Sequence, residues 1–220
     1  NDVCDFPAHY AALSNGADAT PDMVDAILTE CARLCEEVLA PINLSGDLEG
    51  CHFEDGKVTT PKGFKEAYDL YVQGGWQGLS APEEFGGQGM PKMVTVMTDE
   101  MLFATNPSFA LYPLLSIGAA MAMAQHATPQ INDVYLPKMY SGEWSGTMCL
   151  TEPHAGTDLG IIRTKAEPQA DGSYAISGTK IFITGGEHDL TDNIVHLVLA
   201  KLPDAPAGSR GISLYLVPKF

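Results

Sequence analysis

The sequence predicts an α+β protein of two domains, a helical bundle followed by a small antiparallel β-barrel or sandwich. Three observations support this prediction. Apolar residues recur at helical spacing over the first two-thirds of the chain, short runs rich in Val, Ile, Leu, Tyr and Thr follow, and turn residues separate those runs. Because helices and strands occupy separate parts of the chain, we expect two packed domains, residues 1–143 and residues 144–220.

Composition and charge exclude several classes of protein. The chain has 220 residues, of which 45% are hydrophobic and 18% charged, as is typical of globular protein. Its 28 acidic residues against 12 Lys and Arg give a net charge of −16, which argues against nucleic acid or a membrane surface as the main partner. The five cysteines show no repeated CxxC pair, which favours reduced thiols in the cytoplasm over a disulfide framework or a zinc site.

The first domain is predicted to hold five helices. The first follows Thr20-Pro21-Asp22, which supplies a capping hydroxyl, a proline at the first helical position and an acid facing the helix dipole. Pro41 is expected to stop this helix. The other helices are expected to begin at Thr60-Pro61, Pro91 and Thr128-Pro129, with the apolar stretch Phe109–Ala124 forming one more.

The stretch Phe109–Ala124 requires a test against a membrane span. It is shorter than the roughly 20 apolar residues that a span needs, and it contains Pro113, Ser116 and Gly118. We therefore interpret it as a helix buried on most sides within the bundle, and we expect no membrane span. The N-terminus has neither a basic start nor an apolar core, so no secretory signal is predicted.

Five strands are predicted in the second domain. The run IVHLVLA is apolar on both faces, which indicates a strand that is covered from two sides. The last run reaches nearly to Phe220 with no closing element, so we expect the domain to be truncated and the chain to be the front part of a longer protein. The predicted strands are Thr147–Thr151, Arg163–Pro168, Tyr174–Thr184, Ile194–Lys201 and Gly211–Pro218.

The densest polar cluster is Thr151–Asp158, TEPHAGTD. No metal site is predicted, because no second His stands at matching spacing, and a Ser/His/Asp triad would need a nucleophile elbow. Two interpretations stay open. In one, Glu152 and Asp158 cap a turn by accepting hydrogen bonds from backbone N–H groups. In the other, the small residues admit a planar or anionic ligand to the backbone.

A second segment, Lys180–Gly186 (KIFITGG), by itself indicates only a strand that runs into a glycine turn. Taken together, MCLTEPHAGTDLG and SGTKIFITGGEHD resemble the two flavin-contacting signatures of the acyl-CoA dehydrogenase family. The helical first domain, the YLPKMYSGEW linker and the GWQGLSAPEEFGGQGMP loop also match the family's layout. The resemblance therefore covers nearly the whole chain.

The resemblance implies FAD as the cofactor and assigns residues of the first segment to it. Met148, Leu150 and Thr151 match positions along the flavin, and the Thr151 hydroxyl is expected to bond the pyrimidine side of the ring. Gly156 matches a cofactor-binding position of the same loop. Thr157 matches a small hydroxyl residue that touches the cofactor pyrophosphate or the thioester substrate.

The second segment supplies three further cofactor residues by resemblance. Phe182, Ile183 and Thr184 match a triplet whose first residue, usually Trp, packs on the isoalloxazine and whose last residue approaches flavin N5 with its hydroxyl. Phe in place of Trp keeps the packing and loses an N–H donor, and Met148 replaces a frequent aromatic residue. These departures are expected to alter the acyl pocket rather than flavin binding.

The family's reaction removes an α-proton from an acyl-CoA and passes a β-hydride to the flavin. Its base is a glutamate on a C-terminal helical domain that this chain lacks, so no catalytic residue is assigned here, and Glu152 and Glu187 are expected to be structural. The resemblance also implies an electron-transfer flavoprotein as acceptor and a homodimer or homotetramer. The fragment alone is expected to be inactive.

Details of the chain are most similar to the larger bacterial branch of the family. They favour a short-chain or thioether-containing substrate such as 3-methylmercaptopropionyl-CoA. Two alternatives stay open, an acyl-CoA oxidase and a non-catalytic binding or assembly module of the same fold.

Overall fold

The computed structural model describes residues 4–220, and the first three residues of the predicted helical domain lie outside it. A helical part comes first and a sheet follows, as the sequence predicts. The helices are α1 (Phe6–Ala11), α2 (Pro21–Leu34), α3 (Ala40–Glu49), α4 (Phe64–Gln73), α5 (Lys92–Thr105), α6 (Pro107–His126) and α7 (Pro129–Ser141).

The start of α2 agrees with its predicted cap, because the Thr20 side chain accepts a hydrogen bond of 3.3 Å from the Met23 N–H. The prediction that Pro41 ends this helix is wrong. A π-helical turn, Cys35–Leu39, follows α2 and leads directly into α3, where Pro41 lies in the first turn. In the π turn the Ala40 N–H bonds to the Cys35 carbonyl, five residues back, and this change of register accommodates a proline at the next position.

A short hairpin that the sequence analysis missed joins α3 to α4. Its strands, β1 (His52–Glu54) and β2 (Lys57–Thr59), are antiparallel. The turn between them is Asp55-Gly56, and both residues have positive φ, 49° and 79°. An Asp-Gly pair between strand-forming residues is a strong hairpin signal, so the pattern was available in the sequence.

Helix α6 is long and apolar enough, by length and composition alone, to cross a membrane. In the structure it packs against α5, α7 and the first strand of the larger sheet. Only 44% of its apolar window is buried, so the prediction of burial on most sides overstates the burial. Leu111, Leu114 and Met121 lie exposed along it at roughly helical spacing.

The larger sheet has five strands. The prediction of a small antiparallel β-barrel or sandwich is not confirmed, because the sheet contains parallel pairs and is not closed. Its centre, β6, runs parallel to β3 on one side and antiparallel to β7 on the other. A parallel pair requires a long crossover, and residues 150–192 supply it. The sheet is mixed and open. Its strands are β3 (Trp144–Cys149), β4 (Lys165–Pro168), β5 (Tyr174–Ser177), β6 (Asn193–Lys201) and β7 (Ile212–Pro218).

The sheet packs on the helices through β3 and α6. Gly146 permits the close approach, because a Cβ atom there would lie 2.7 Å from both the Ala119 Cβ and the Met139 Cε. The Gly146 N–H also donates to the Ser116 Oγ at 3.0 Å. This contact places the carboxyl end of β3, where the candidate site begins, at a fixed position on the helical part.

Candidate functional site

The first signature segment forms a loop that leaves the larger sheet on one side of β6. Strand β3 pairs with β6 as far as Cys149, and β4 meets the same strand at Lys201. Because β7 occupies the other side of Lys201, β3 and β4 lie on one side of β6, and residues 150–164 leave the sheet between them. The loop therefore stands at the end of β3, outside the regular hydrogen-bond ladder.

Glu152 holds both ends of this loop. Its side chain is buried, and its carboxylate accepts hydrogen bonds from the Arg163 N–H at 2.7 Å, the Thr164 N–H at 3.0 Å and the Thr164 hydroxyl at 2.6 Å. Burial by itself would raise the pKa of Glu152, but the hydrogen bonds, including one from Lys180, outweigh it and lower the pKa to about 2. Glu152 is thus an ionised structural anchor, and it is poorly suited to act as a base.

Lys180 joins the second signature segment to the first. Its Nζ donates to the Glu152 Oε1 at 2.9 Å and to the Leu150 carbonyl at 3.1 Å. The next residue, Ile181, donates its N–H to the Thr151 carbonyl at 2.9 Å. The two segments, which the sequence separates by about thirty residues, therefore lie side by side.

The prediction that Tyr174–Thr184 is one strand is wrong. Strand β5 ends at Ser177, Gly178 has a φ of 156°, and the chain through Thr184 is irregular. Phe182 adopts a φ of 57° and is 89% exposed. A bulky residue with positive φ is strained, and such strain is concentrated at functional sites.

The predicted site residues differ in their exposure to solvent. Leu150, Thr151 and Ile183 are half-buried, whereas the other five are exposed. Within residues 4–220 the hydroxyls of Thr151 and Thr184 have no hydrogen-bond partner. An exposed aromatic ring at Phe182, two residues from the Thr184 hydroxyl and on a segment bonded to Thr151, fits a flat ligand with polar edges. The five exposed residues are Met148, Gly156, Thr157, Phe182 and Thr184.

A pocket of about 260 Å³ adjoins this surface. Ile183 and Gly186 form one wall, and residues of β3, β6 and β7 form its floor. On that floor the His196 Nδ1 lies 2.7 Å from the Thr147 Oγ1, and burial lowers the pKa of His196. The floor is therefore uncharged, and Lys180 brings the positive charge at its edge. The floor residues are Cys149, His196, Val198 and Val217.

The capped-turn interpretation of the polar cluster is confirmed, and the ligand interpretation stays a prediction. The Asp158 side chain accepts from the Gly160 N–H at 2.9 Å, and Glu152 is engaged as described. Glu187 forms an ion pair of 2.6 Å with Lys219. In the part of the chain that the structure describes, no three His, Cys, Asp or Glu side chains are grouped as metal ligands.

Sequence analysis missed the residues that assemble the site, above all Lys180 and His188. His188 lies buried in the turn after the second segment, and its Nε2 is 3.0 Å from the Ser145 Oγ. Both lie within SGTKIFITGGEHD, but their partners are 28 and 43 residues away along the chain, so the motif by itself does not show what they bind.

Two family models match the chain. The acyl-CoA dehydrogenase N-terminal domain matches residues 22–143, and the acyl-CoA dehydrogenase middle domain matches residues 147–220. The chain is 51% identical over 209 residues to 3-methylmercaptopropionyl-CoA dehydrogenase of Ruegeria pomeroyi, covering 95% of this chain and 36% of that protein. The chain thus spans about a third of the length of the curated relatives that it matches.

Solved structures show the same fold. Butyryl-CoA dehydrogenase from Megasphaera elsdenii superposes with a TM-score of 0.75 at 24% identity, over 91% of this chain and 49% of that one. An acyl-CoA dehydrogenase from Bacillus anthracis complexed with FAD superposes with a TM-score of 0.74 at 21% identity, over 92% of this chain and 32% of that one.

Proposed function

Since the chain belongs to the acyl-CoA dehydrogenase family, we propose that the whole protein is an FAD-dependent acyl-CoA dehydrogenase, which forms a double bond between the α and β carbons of an acyl-CoA thioester. The observation that carries the proposal is the 2.9 Å bond from the Ile181 N–H to the Thr151 carbonyl. This bond joins the two segments that resemble the family's flavin-contacting signatures into one surface.

The residues on this surface fit FAD. Phe182 offers an exposed ring for packing on the isoalloxazine, and the Thr151 and Thr184 hydroxyls are available as donors to its polar edge. Met148, Leu150, Gly156 and Ile183 complete the contact by proposal, and Thr157 reaches either the cofactor pyrophosphate or the thioester substrate. FAD, when bound, supplies the acceptor for the β-hydride.

The chain's own residues contribute preorganisation. Hydroxyl and backbone donors that are already fixed in place stabilise developing negative charge without reorganising during the reaction. The Glu152–Lys180 pair keeps the two donor-bearing segments in register. Neither glutamate of these segments is suited to take the α-proton, because Glu152 is fully engaged and Glu187 is paired with Lys219. By family resemblance we propose that the base is a glutamate in a part of the whole protein outside this chain, which spans about a third of the length of its relatives.

For the substrate we propose a short-chain or thioether-containing acyl-CoA, with 3-methylmercaptopropionyl-CoA favoured. The support is the 51% identity to the Ruegeria pomeroyi enzyme of that name. By family membership we further propose an electron-transfer flavoprotein as acceptor and a homodimer or homotetramer as the assembled state. All five cysteines are free, which supports a reducing compartment such as the cytoplasm.

The full-length protein provides the test. Purified, it should show flavin absorbance, and anaerobic addition of substrate should bleach that absorbance. Rates of bleaching with butyryl-, palmitoyl- and 3-methylmercaptopropionyl-CoA would rank the acyl chains, and rapid reoxidation by air would favour an oxidase instead. A folded protein that neither carries nor takes up FAD would overturn the proposal.

A further inference from the structure

The turn at the end of the second signature segment, residues 185–191, is tied to the helical part at several points. The Asp189 Oδ1 accepts from the Thr60 N–H at 3.0 Å and from the Thr60 hydroxyl at 2.8 Å. Lys65 donates from Nζ to the Leu190 carbonyl at 2.9 Å. The turn is therefore docked on residues that precede it by more than a hundred positions.

His188 lies at the centre of this turn and is only 3% exposed. Its Nδ1 accepts from the Leu190 N–H at 3.1 Å, which assigns the ring proton to Nε2. Nε2 then donates to the Ser145 Oγ at 3.0 Å. Ser145 in turn lies 3.1 Å from the Thr191 Oγ1, which donates to the Asn193 carbonyl at 2.9 Å. Each donor in this series of hydrogen bonds has one acceptor. Only a neutral His188 ring with its proton on Nε2 can make all of these bonds.

The remaining face of the turn packs on α6. The ring of Tyr112 meets the His188 ring edge-on, with centroids 5.2 Å apart and planes at 80°. A Cβ atom at Gly185 would lie 3.3 Å from the Tyr112 Cδ1, so the backbone approaches that ring closely. The chain enters this tightly held turn directly after Thr184, the residue with the free hydroxyl.

We propose that His188 is a positioning residue, whose neutral ring holds the Phe182–Thr184 segment at a fixed distance from the helical part and thereby sets the Thr184 hydroxyl against the cofactor edge. This inference rests on the proposed function for the cofactor and on geometry alone for the position of the loop. It gives the turn a role in catalysis, although none of its residues is assigned to the cofactor contact.

The charges around the ring are consistent with a neutral histidine. Burial lowers the pKa of His188 to about 4, against the opposing effect of Glu187 and Asp189, while Lys219 and His196 lower it further. Tyr112 on α6 and Ser145 on β3 face the ring as neutral groups. Protonation would turn Nδ1 from an acceptor into a donor and break its bond to the Leu190 N–H.

The test compares variants of the full-length protein. H188N keeps an acceptor for the Leu190 N–H but is too short to reach Ser145. S145A removes the hydroxyl that accepts from Nε2. H188Q restores a donor near the position of Nε2. V94A serves as the matched control, because Val94 is fully buried in a helical cluster that includes no residue of the turn. Three properties are measured: amide exchange over residues 182–187, the flavin absorption and circular dichroism spectra, and the rate of flavin reduction by substrate.

H188N and S145A should each increase amide exchange over residues 182–187, alter the flavin spectra and slow reduction about 10- to 100-fold, since a misplacement of about 1 Å can cost 10²-fold. Their double variant should be no slower than the worse single variant, and H188Q should recover part of the rate. V94A should lose stability with unchanged spectra and rate.

The role of His188 would be overturned if the variants match the wild type in amide exchange, in the flavin spectra and in the rate of flavin reduction. A wild-type protein without FAD would overturn the proposed function instead, and amide exchange would still decide whether His188 holds the loop. Where H188N fails to fold, S145A carries the same test, because it removes only one hydroxyl.

Discussion

Lys180 and Glu152 form a buried ion pair, 2.9 Å from Nζ to Oε1, with side chains that are 10% and 2% exposed. It joins the two loops that carry every predicted cofactor residue apart from Met148 on β3. The Glu152 carboxylate meets four donors, and the Lys180 ammonium also bonds a backbone carbonyl. Such complete pairing is what allows a buried charge pair to form at all, because unpaired buried charges are strongly unfavourable.

Removing the cation from this pair should destabilise the protein strongly. Lys180→Met keeps the apolar stem but leaves the buried Glu152 carboxylate without its counter-ion, so we expect a loss of about 3 kcal/mol in the free energy of unfolding. Lys219→Met is the matched control, because its partner Glu187 is 29% exposed, and it should cost less than about 1 kcal/mol. Urea unfolding measures both, and equal losses would contradict the assigned role of the buried pair.

The free energy of unfolding should decrease as the pH is lowered from 6.5 to about 4, because of His188. Its pKa is lowered from 6.5 to about 4 by burial in the folded state, so the unfolded chain binds the proton more readily across that window. The stabilisation from the neutral ring is complete above pH 6.5 and is lost as the pH falls towards 4, on the order of 3 kcal/mol in all.

Thermal unfolding of the wild type and H188N at pH 7.5 and pH 5 measures this dependence. The difference in unfolding temperature between the two proteins should be smaller at pH 5 than at pH 7.5, because the variant has no ring to protonate. If the difference in unfolding temperature is the same at the two pH values, His188 has the same protonation in the folded and the unfolded state.

Thr184→Val should separate catalysis from folding. Valine keeps the volume and the branched shape, and the Thr184 hydroxyl has no partner within residues 4–220, so stability should change by less than about 1 kcal/mol. If the hydroxyl donates to the flavin as proposed, its loss should slow flavin reduction by about 10- to 1000-fold. Stopped-flow reduction of the flavin-loaded full-length protein measures this, and an unchanged rate would remove Thr184 from the cofactor contact.

The 220-residue chain alone should bind FAD weakly and show no turnover. It offers one surface to the cofactor, whereas tight ligand sites bury most of the ligand, and the proposed base is assigned outside this chain. The exposed apolar side chains along α6, including Leu114 and Met121, should also favour self-association. FAD titration and sedimentation, with Met121→Lys as the dispersing variant, test both expectations. Tight stoichiometric flavin or measurable turnover would mean that the active site is complete within this chain.

Features set by neighbouring residues could be predicted from the sequence. The order of helices and strands and the Thr20 cap of α2 follow from periodicity and capping, whereas the two segments proposed to contact the cofactor were identified by their resemblance to the family's signatures. Pro41 was misjudged because a π turn changed the hydrogen-bond register just before it, and a proline in the first turn of the next helix is compatible with that change.

Strand pairing and the assembly of the site were decided only by the tertiary structure. The sequence by itself determined a helical part, a β part and two signature segments with their hydroxyl and aromatic residues. Whether the sheet would close, that β3 and β6 would run parallel, and that Lys180 and His188 would hold the segments in place depend on contacts between residues 28 to 129 positions apart. Such contacts form only when the whole chain packs, because burial and charge pairing reward partners by their distance in space, and no local pattern of residues records that distance.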